Sequence, residues 1–327
     1  MSVAPPSPDM LARAVALLRG GALVAFPTET VYGLGADAGH AHGVRAIFAA
    51  KGRPADHPVI VHVADVAQAR PWARAFPPQA EALAAAFWPG PLTLVVPRSV
   101  RATDDLTGGQ DTVGLRVPSH PVAQALLQAF HAAGGHGVAA PSANRFGRIS
   151  PTTAQHVHDD LGDAVSLVLD GGPCAVGIES TIVAVGEGEP VLLRPGGIPA
   201  AALARVLGRA PGAATSDAPR ASGTLASHYA PRTPARLASA RSLAEITSAG
   251  IAVLARTTSR PAAFAGRWIM APAAPDAYAH DLYANLRSLD AAGARRILIE
   301  ALPDDVAWLA VRDRVQRAVH AEDDDRD

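Results

Sequence analysis

The chain opens with a helical pattern whose two ends are written in: MLARAVALLRGG follows Ser7-Pro8-Asp9, with Ser7 as N-cap, Pro8 at the first helical position and Gly20-Gly21 as the stop. The apolar run ALVAF comes next and reads as a strand ending at Pro27-Thr28-Glu29-Thr30. From there, strand-like runs at Val59-Val63, Leu92-Pro97, Thr112-Val117, Gly137-Ala140, Val165-Asp170, Ser180-Val185 and Val191-Arg194 alternate with helical patterns. The helices are expected near His40-Ala50, Gln79-Phe87, Pro121-His131, Thr153-Leu161 and Pro199-Leu207. This interleaving predicts an α/β fold, and the late pair of strands split by Gly-Glu-Gly predicts a hairpin, hence a mixed sheet.

Beyond Gly208 the pattern stops. APGAATSDAPRASGT carries no apolar period and reads as a linker running through Leu225-Ala226-Ser227-His228-Tyr229-Ala230-Pro231. After Pro234 a smaller alternating unit is expected: strands Ile251-Arg256 and Arg267-Met270, a helix through Tyr278-Ala292, a strand Arg296-Glu300 and a closing helix Asp304-Val319. The expected division is therefore residues 1–208, a linker 209–233 and a small open α/β domain 234–327, whose acidic tail AEDDDRD is assigned no function.

Composition narrows the chemistry. A net charge of −1 gives no bulk attraction to nucleic acid or membrane, so a bound anion must be met by a local cluster. No long apolar run indicates export or membrane spanning, and a cytoplasmic protein is the expectation. The single cysteine, Cys174, excludes an internal disulfide framework and reads as a small buried residue. Lys51 is the only lysine among 29 basic residues.

Neither GxxxxGK[ST] nor GxGxxG spacing occurs, so phosphates would have to be held by side chains. Lys51, Arg53, Arg116 and Arg194 lie at loop boundaries, where α/β proteins place ligands, although arginines capping strand ends would read the same way. Ser142-Ala143-Asn144 follows the apolar run GVAAP and offers hydroxyl, amide and backbone donors together; Ser150, Thr152 and Glu179-Ser180-Thr181 add more, with Thr152 also readable as a helix N-cap. In VIVHV, alternation sets His62 on the face opposite Val61 and Val63.

Taken in order, Pro27-Thr28-Glu29-Thr30-Val31-Tyr32-Gly33-Leu34-Gly35, Lys51-Gly52-Arg53-Pro54, Pro141-Ser142-Ala143-Asn144, Glu179-Ser180-Thr181-Ile182 and Arg194-Pro195-Gly196 resemble the YrdC-type threonylcarbamoyl-AMP synthases. Ser227-His228-Tyr229-Ala230-Pro231 with Leu282-Tyr283 and Leu286-Arg287 match the long, two-domain form. The resemblance implies a twisted mixed sheet with flanking helices, a small Rossmann-like domain, and a linker that closes over the active site. It implies an enzyme, a nucleotidyltransferase, joining L-threonine, bicarbonate and ATP, with Mg²⁺, into threonylcarbamoyl-adenylate and pyrophosphate. The product would feed a separate transferase that modifies tRNA, with no direct tRNA binding required.

By motif position, Thr30, His62, Arg116, Ala140 (through its backbone) and Ser180 would contact threonine. Lys51, Arg53, His57, Thr112, Ser142, Ser150, Arg194, His228 and Tyr229 would surround ATP, with Lys51 and Arg53 taking the catalytic part. Many members carry Asn where His57 stands, and a histidine there makes the local charge depend on its surroundings. Two other readings stand beside this one. A duplex-RNA-binding protein is opposed by the near-neutral charge and the lack of an RNP-like aromatic run, and hydrogenase maturation by the lack of zinc-binding cysteine clusters.

Overall fold

The computed structural model describes residues 2–225 and 227–320; the acidic tail 321–327 lies outside them. Its contacts divide the chain into two compact units. The first takes in the chain up to Phe146, Pro151–Ala175 and Glu179–Thr224; the second takes in Gly147–Ser150, Val176–Ile178 and the chain from Leu225 onward.

In the first unit one sheet is built from β1 (Ser2–Ala4), β2 (Val24–Phe26), β3 (Gly33–Asp37), β4 (Ile60–His62), β5 (Leu92–Pro97), β6 (Thr112–Arg116), β7 (Val138–Ala139), β8 (Leu167–Leu169), β9 (Thr181–Ala184), β10 (Val191–Arg194) and β11 (Gly212–Ala213). The spatial order is β1-β8-β2-β3-β7-β4-β6-β5-β9-β10-β11. Parallel pairs such as β4–β6 and β5–β9 interleave with antiparallel ones such as β5–β6, and β9–β10 is the expected antiparallel hairpin, so the sheet is mixed.

Helices cover both faces: α1 (Pro8–Arg19), α2 (Ala41–Lys51), α3 (Val66–Ala69), α4 (Pro78–Phe87), α5 (Asp104–Thr107), α6 (Pro121–Ala132), α7 (Ala154–Leu161) and α8 (Ala200–Leu207). Strand alternation sorts the middle of the sheet. Val61, Leu94, Leu115 and Val183 point into a core with Ile47 and Phe48 of α2, Leu83 of α4 and Leu203 of α8. On the other face α1 and α6 pack Leu18, Leu126 and Phe130 against Phe26 and Val138. Beside them, at β4, β5, β6 and β9, that face carries His62, Thr93, Arg116 and Ile182. His62, Thr93 and Arg116 on this face belong to the candidate site.

Ser7 caps α1 by accepting the Met10 N–H at 3.2 Å, as the sequence predicts. Thr153, and not Thr152, caps α7: its hydroxyl accepts the His156 N–H, while Thr152 donates its own N–H to His156 Nδ1. GLGAD is strand β3, which the glycines hid by breaking the alternation. Within the stretch read as linker, Ala221 is buried against Val95, Ile182 and Leu193 of the first unit. Cys174 is buried as expected, and burial first, then Glu29, pushes its thiol up to about 12.

The second unit has a four-stranded, all-parallel sheet in the order β12 (Ala235–Ala238), β15 (Arg296–Glu300), β13 (Ile251–Ala255), β14 (Trp268–Met270). Its helices are α9 (Ala240–Ala244), α10 (Pro275–Asp290) and α11 (Leu309–Val319). At the end of β15 the Glu300 carboxylate accepts the backbone N–H groups of Arg256, Thr257 and Thr258. Burial opposes its charge, but the Thr257 hydroxyl and these three donors outweigh that and hold its pKa down to about 2.

Candidate active site

Register builds the floor of the site. His62 of β4 pairs with Arg116 of β6, and Arg116 pairs with Thr93 of β5, so the three side chains form a row across one face. Thr93 continues the row through a 2.8 Å hydroxyl contact to Ser180 Oγ. Arg116 Nη2 donates to Glu29 Oε1 at 2.7 Å and to Thr30 Oγ1 at 2.9 Å, while Glu29 Oε2 accepts the Ser119 N–H at 3.0 Å. Thr28 braces this turn: its hydroxyl donates to the Val31 carbonyl and lies 2.8 Å from Thr30 Oγ1. Arg116 is 4% exposed, and its Nε is buried with no hydrogen-bond partner among the described residues. An unmet buried donor costs about 1–3 kcal/mol, which an acceptor on a ligand would recover.

His62 is equally enclosed. Its Nδ1 lies 3.3 Å from the Ile60 carbonyl and its ring stands edge-on to Phe26. Burial, then the nearby Arg116, pushes its pKa down to about 3, so at neutral pH it is an uncharged donor or acceptor.

Lys51 ends α2, where Gly52 turns the chain at φ +63°, a conformation in which other residues are strained. Its Nζ donates to the carbonyls of Ser142 and Asn144, each at 2.6 Å, and Phe146 donates its N–H back to the Lys51 carbonyl. Burial, then Arg53, lowers its pKa well below the ordinary value. Lys51 makes no ion pair with a carboxylate among the described residues. Arg53 Nη2 donates to the Pro58 carbonyl at 2.9 Å and its guanidinium lies over the Phe48 ring. His57 sits 5.6 Å from the Phe146 ring, and burial, then Arg53, lowers its pKa, which disfavours a positive charge on it.

Arg194 acts as a clamp. Nε and Nη2 hold the Ser180 carbonyl, Nη2 reaches Ser180 Oγ at 3.2 Å, and Nη1 donates to the Ser222 carbonyl at 2.6 Å. Gly196 permits this packing, since a Cβ there would lie 2.4 Å from the Thr181 nitrogen. Ser222 Oγ in turn donates to the Pro58 carbonyl, and Thr112 lines the narrow space between them. Ala140 links the two groups of residues through its N–H, which donates to Ile60, two residues before Ser142 is reached.

Eleven of the predicted residues thus belong to the first unit: Thr30, Lys51, Arg53, His57, His62, Thr112, Arg116, Ala140, Ser142, Ser180 and Arg194. Ser150, His228 and Tyr229 belong to the second. There Tyr229 is buried, with the non-glycine φ of +63°, its ring beneath the Arg314 guanidinium and 5.7 Å from Tyr283. Sequence reasoning passed over Glu29, Thr93 and Ser222. Glu29 stood inside a quoted motif, and Thr93 is the lone polar letter in LTLVVP.

Comparison with known proteins identifies the family. The Sua5/YciO/YrdC family model, described as telomere recombination, matches residues 16–196, and a threonylcarbamoyl-AMP synthase C-terminal domain model matches residues 198–319. The threonylcarbamoyl-AMP synthase of Bacillus subtilis is 38% identical over 94% of this chain and 92% of its own length. That of Pyrococcus abyssi is 46% identical over 67% of this chain, an alignment spanning 64% of the relative's length. The crystal structure of P. abyssi Sua5 complexed with L-threonine matches with a TM-score of 0.88 and 35% identity over 97% of this chain and 96% of that one. The chain belongs to the Sua5/YciO/YrdC family, in the long form that carries the Sua5 C-terminal domain.

Proposed function

We propose that this protein is an L-threonylcarbamoyladenylate synthase, a nucleotidyltransferase that condenses L-threonine, bicarbonate and ATP. The observation that carries the reading is Arg116: a buried guanidinium with an unmet Nε, set between the Thr30 hydroxyl and neutral His62. A planar fork in that setting suits the carboxylate of a small hydroxy amino acid. Names of relatives from B. subtilis and P. abyssi, and the threonine complex of the latter's Sua5, support it. The same names leave duplex-RNA binding disfavoured.

The amine of threonine takes up the carbon of bicarbonate with loss of water, giving a carbamate. A carbamate oxygen then attacks the α-phosphorus of ATP, and the bond to the departing pyrophosphate breaks. Two negative charges on the carbamate approach a polyanion, so cations are needed to let the reactants meet. Arg116 would take the carboxylate. Lys51 and Arg53 would lie toward the triphosphate and the charge developing on pyrophosphate, with Ser142, Thr112, His57 and Arg194 around the nucleotide. The free amine of threonine has a pKa of about 8, so binding can supply neutral amine without a dedicated base.

Mg²⁺ would enter on the nucleotide phosphates as MgATP, where it neutralises charge. Among the described residues no group of three or more His, Cys, Asp or Glu is placed to hold a metal ion. The anhydride product would be handed to a separate transferase acting on tRNA. No helix of the described residues is long and apolar enough to cross a membrane. The reading is tested by mass spectrometry of the product from ATP, threonine and labelled bicarbonate, with pyrophosphate release requiring both co-substrates. ATP turnover unchanged without either would overturn it.

A further inference from the structure

Two buried cations of the first unit are held in opposite electrical states. Lys51 and Arg116 are each 4% exposed. Lys51 rests on two neutral carbonyls, whereas Arg116 is ion-paired at 2.7 Å with Glu29, whose side chain is 9% exposed. Seen from a ligand, Lys51 has no carboxylate paired with it, whereas Arg116 with Glu29 is a dipole, whose field falls off faster with distance than that of a lone charge. His62, the other titratable side chain in the row, is uncharged and does not restore the balance.

We propose that Glu29 sorts the two anionic substrates: it reserves Arg116 for the singly charged carboxylate of an amino acid and turns phosphate away, leaving polyphosphate to Lys51. The proposal rests on the reading that both substrates meet in this unit. Its physical basis is simple. A phosphate group carries about 1.5–2 negative charges at neutral pH against one for a carboxylate, so the Glu29 carboxylate repels it about twice as strongly at the same distance. Glu29 also fixes which guanidinium nitrogen stays available. With Nη2 committed to Glu29 and Thr30, a ligand is left the remaining guanidinium nitrogens. Glu29 is thus a positioning and specificity residue, and the substrate touches Arg116.

The test uses inorganic phosphate as probe against the full-length protein, with calorimetric titration of phosphate and L-threonine and with inhibition of pyrophosphate release. In the wild type, phosphate is expected to compete with ATP and not with threonine. In Glu29→Gln the ratio of phosphate to threonine affinity should rise about tenfold, the factor given by ~1.4 kcal/mol, and phosphate should become competitive with threonine. Glu29→Asp, which keeps the charge, should stay near the wild-type ratio. A folded Glu29→Gln protein with raised KM for threonine but unchanged phosphate affinity would reduce Glu29 to a structural brace and overturn the proposal. So would a wild type in which phosphate competes with threonine as well as it does with ATP, a result available even if Glu29→Gln fails to fold. Wild-type protein lacking threonine- and bicarbonate-dependent pyrophosphate release would instead overturn the underlying function.

Discussion

His62 offers a pH prediction whose size follows from its surroundings. The ring is 3% exposed, and its folded pKa of about 3 lies below the unfolded value of 6.5 because of burial and then Arg116. Below pH 6.5 the unfolded chain therefore gains a proton that the native chain refuses. Stability from this site is complete above pH 6.5 and is lost as pH falls toward 3, at about 1.4 kcal/mol per pH unit. Between pH 6.5 and 5 the loss is ~2 kcal/mol, a substantial part of the few kcal/mol that hold a domain folded. His62→Gln removes the titrating group, so the difference between the two proteins reports this site. Urea unfolding followed by circular dichroism at pH 7 and pH 5 should show the wild type losing ~2 kcal/mol more than the variant. Parallel losses, or an NMR titration of the His62 ring with a midpoint near 6, would refute the reasoning.

Lys51→Arg keeps the charge but replaces a compact ammonium with a broader fork that cannot sit 2.6 Å from both carbonyls; pyrophosphate release should fall by about 10²–10³ with the circular dichroism spectrum retained. Gly196→Ala drives a Cβ into the Thr181 nitrogen and the Glu179 carbonyl, and should cost about 3 kcal/mol by urea unfolding while raising KM for threonine through displaced Ser180. Thr153→Ala removes the cap of α7 and should cost about 1 kcal/mol, with kcat unchanged, whereas Thr152→Ala leaves that cap in place.

Elements with their own punctuation were legible in the sequence. Ser7 and Gly20 bracket α1, and β15 runs over the predicted Arg296–Glu300, because capping chemistry and an apolar run between polar flanks are local properties. β3 was not legible, since its glycines are there to let neighbouring strands approach, a tertiary demand with no period of its own. The closing helix starts at Leu309, preceded by a 3₁₀ turn over Val306–Trp308 that Asp305 caps by accepting the Ala307 N–H. The cations of the site were visible as letters, but what holds them was not. Ser142, Asn144, Pro58, Ser180 and Ser222 all accept through backbone carbonyls, which every residue has, so no choice of amino acid announces them. Glu29 is different: a carboxylate among PTET was readable, but its partner lies 87 positions along the chain.

The single lysine also bears on the fate of the proposed product. A carbamoyl-adenylate is a mixed anhydride, and such anhydrides acylate amines. A chain that releases one is exposed to its own reagent wherever it displays a neutral ε-amine. Here that hazard shrinks to Lys51, whose ammonium is enclosed and has two of its hydrogens engaged by carbonyl oxygens at 2.6 Å. After prolonged turnover, peptide mapping of acylation at Lys51 therefore reads out how well the site shields that side chain.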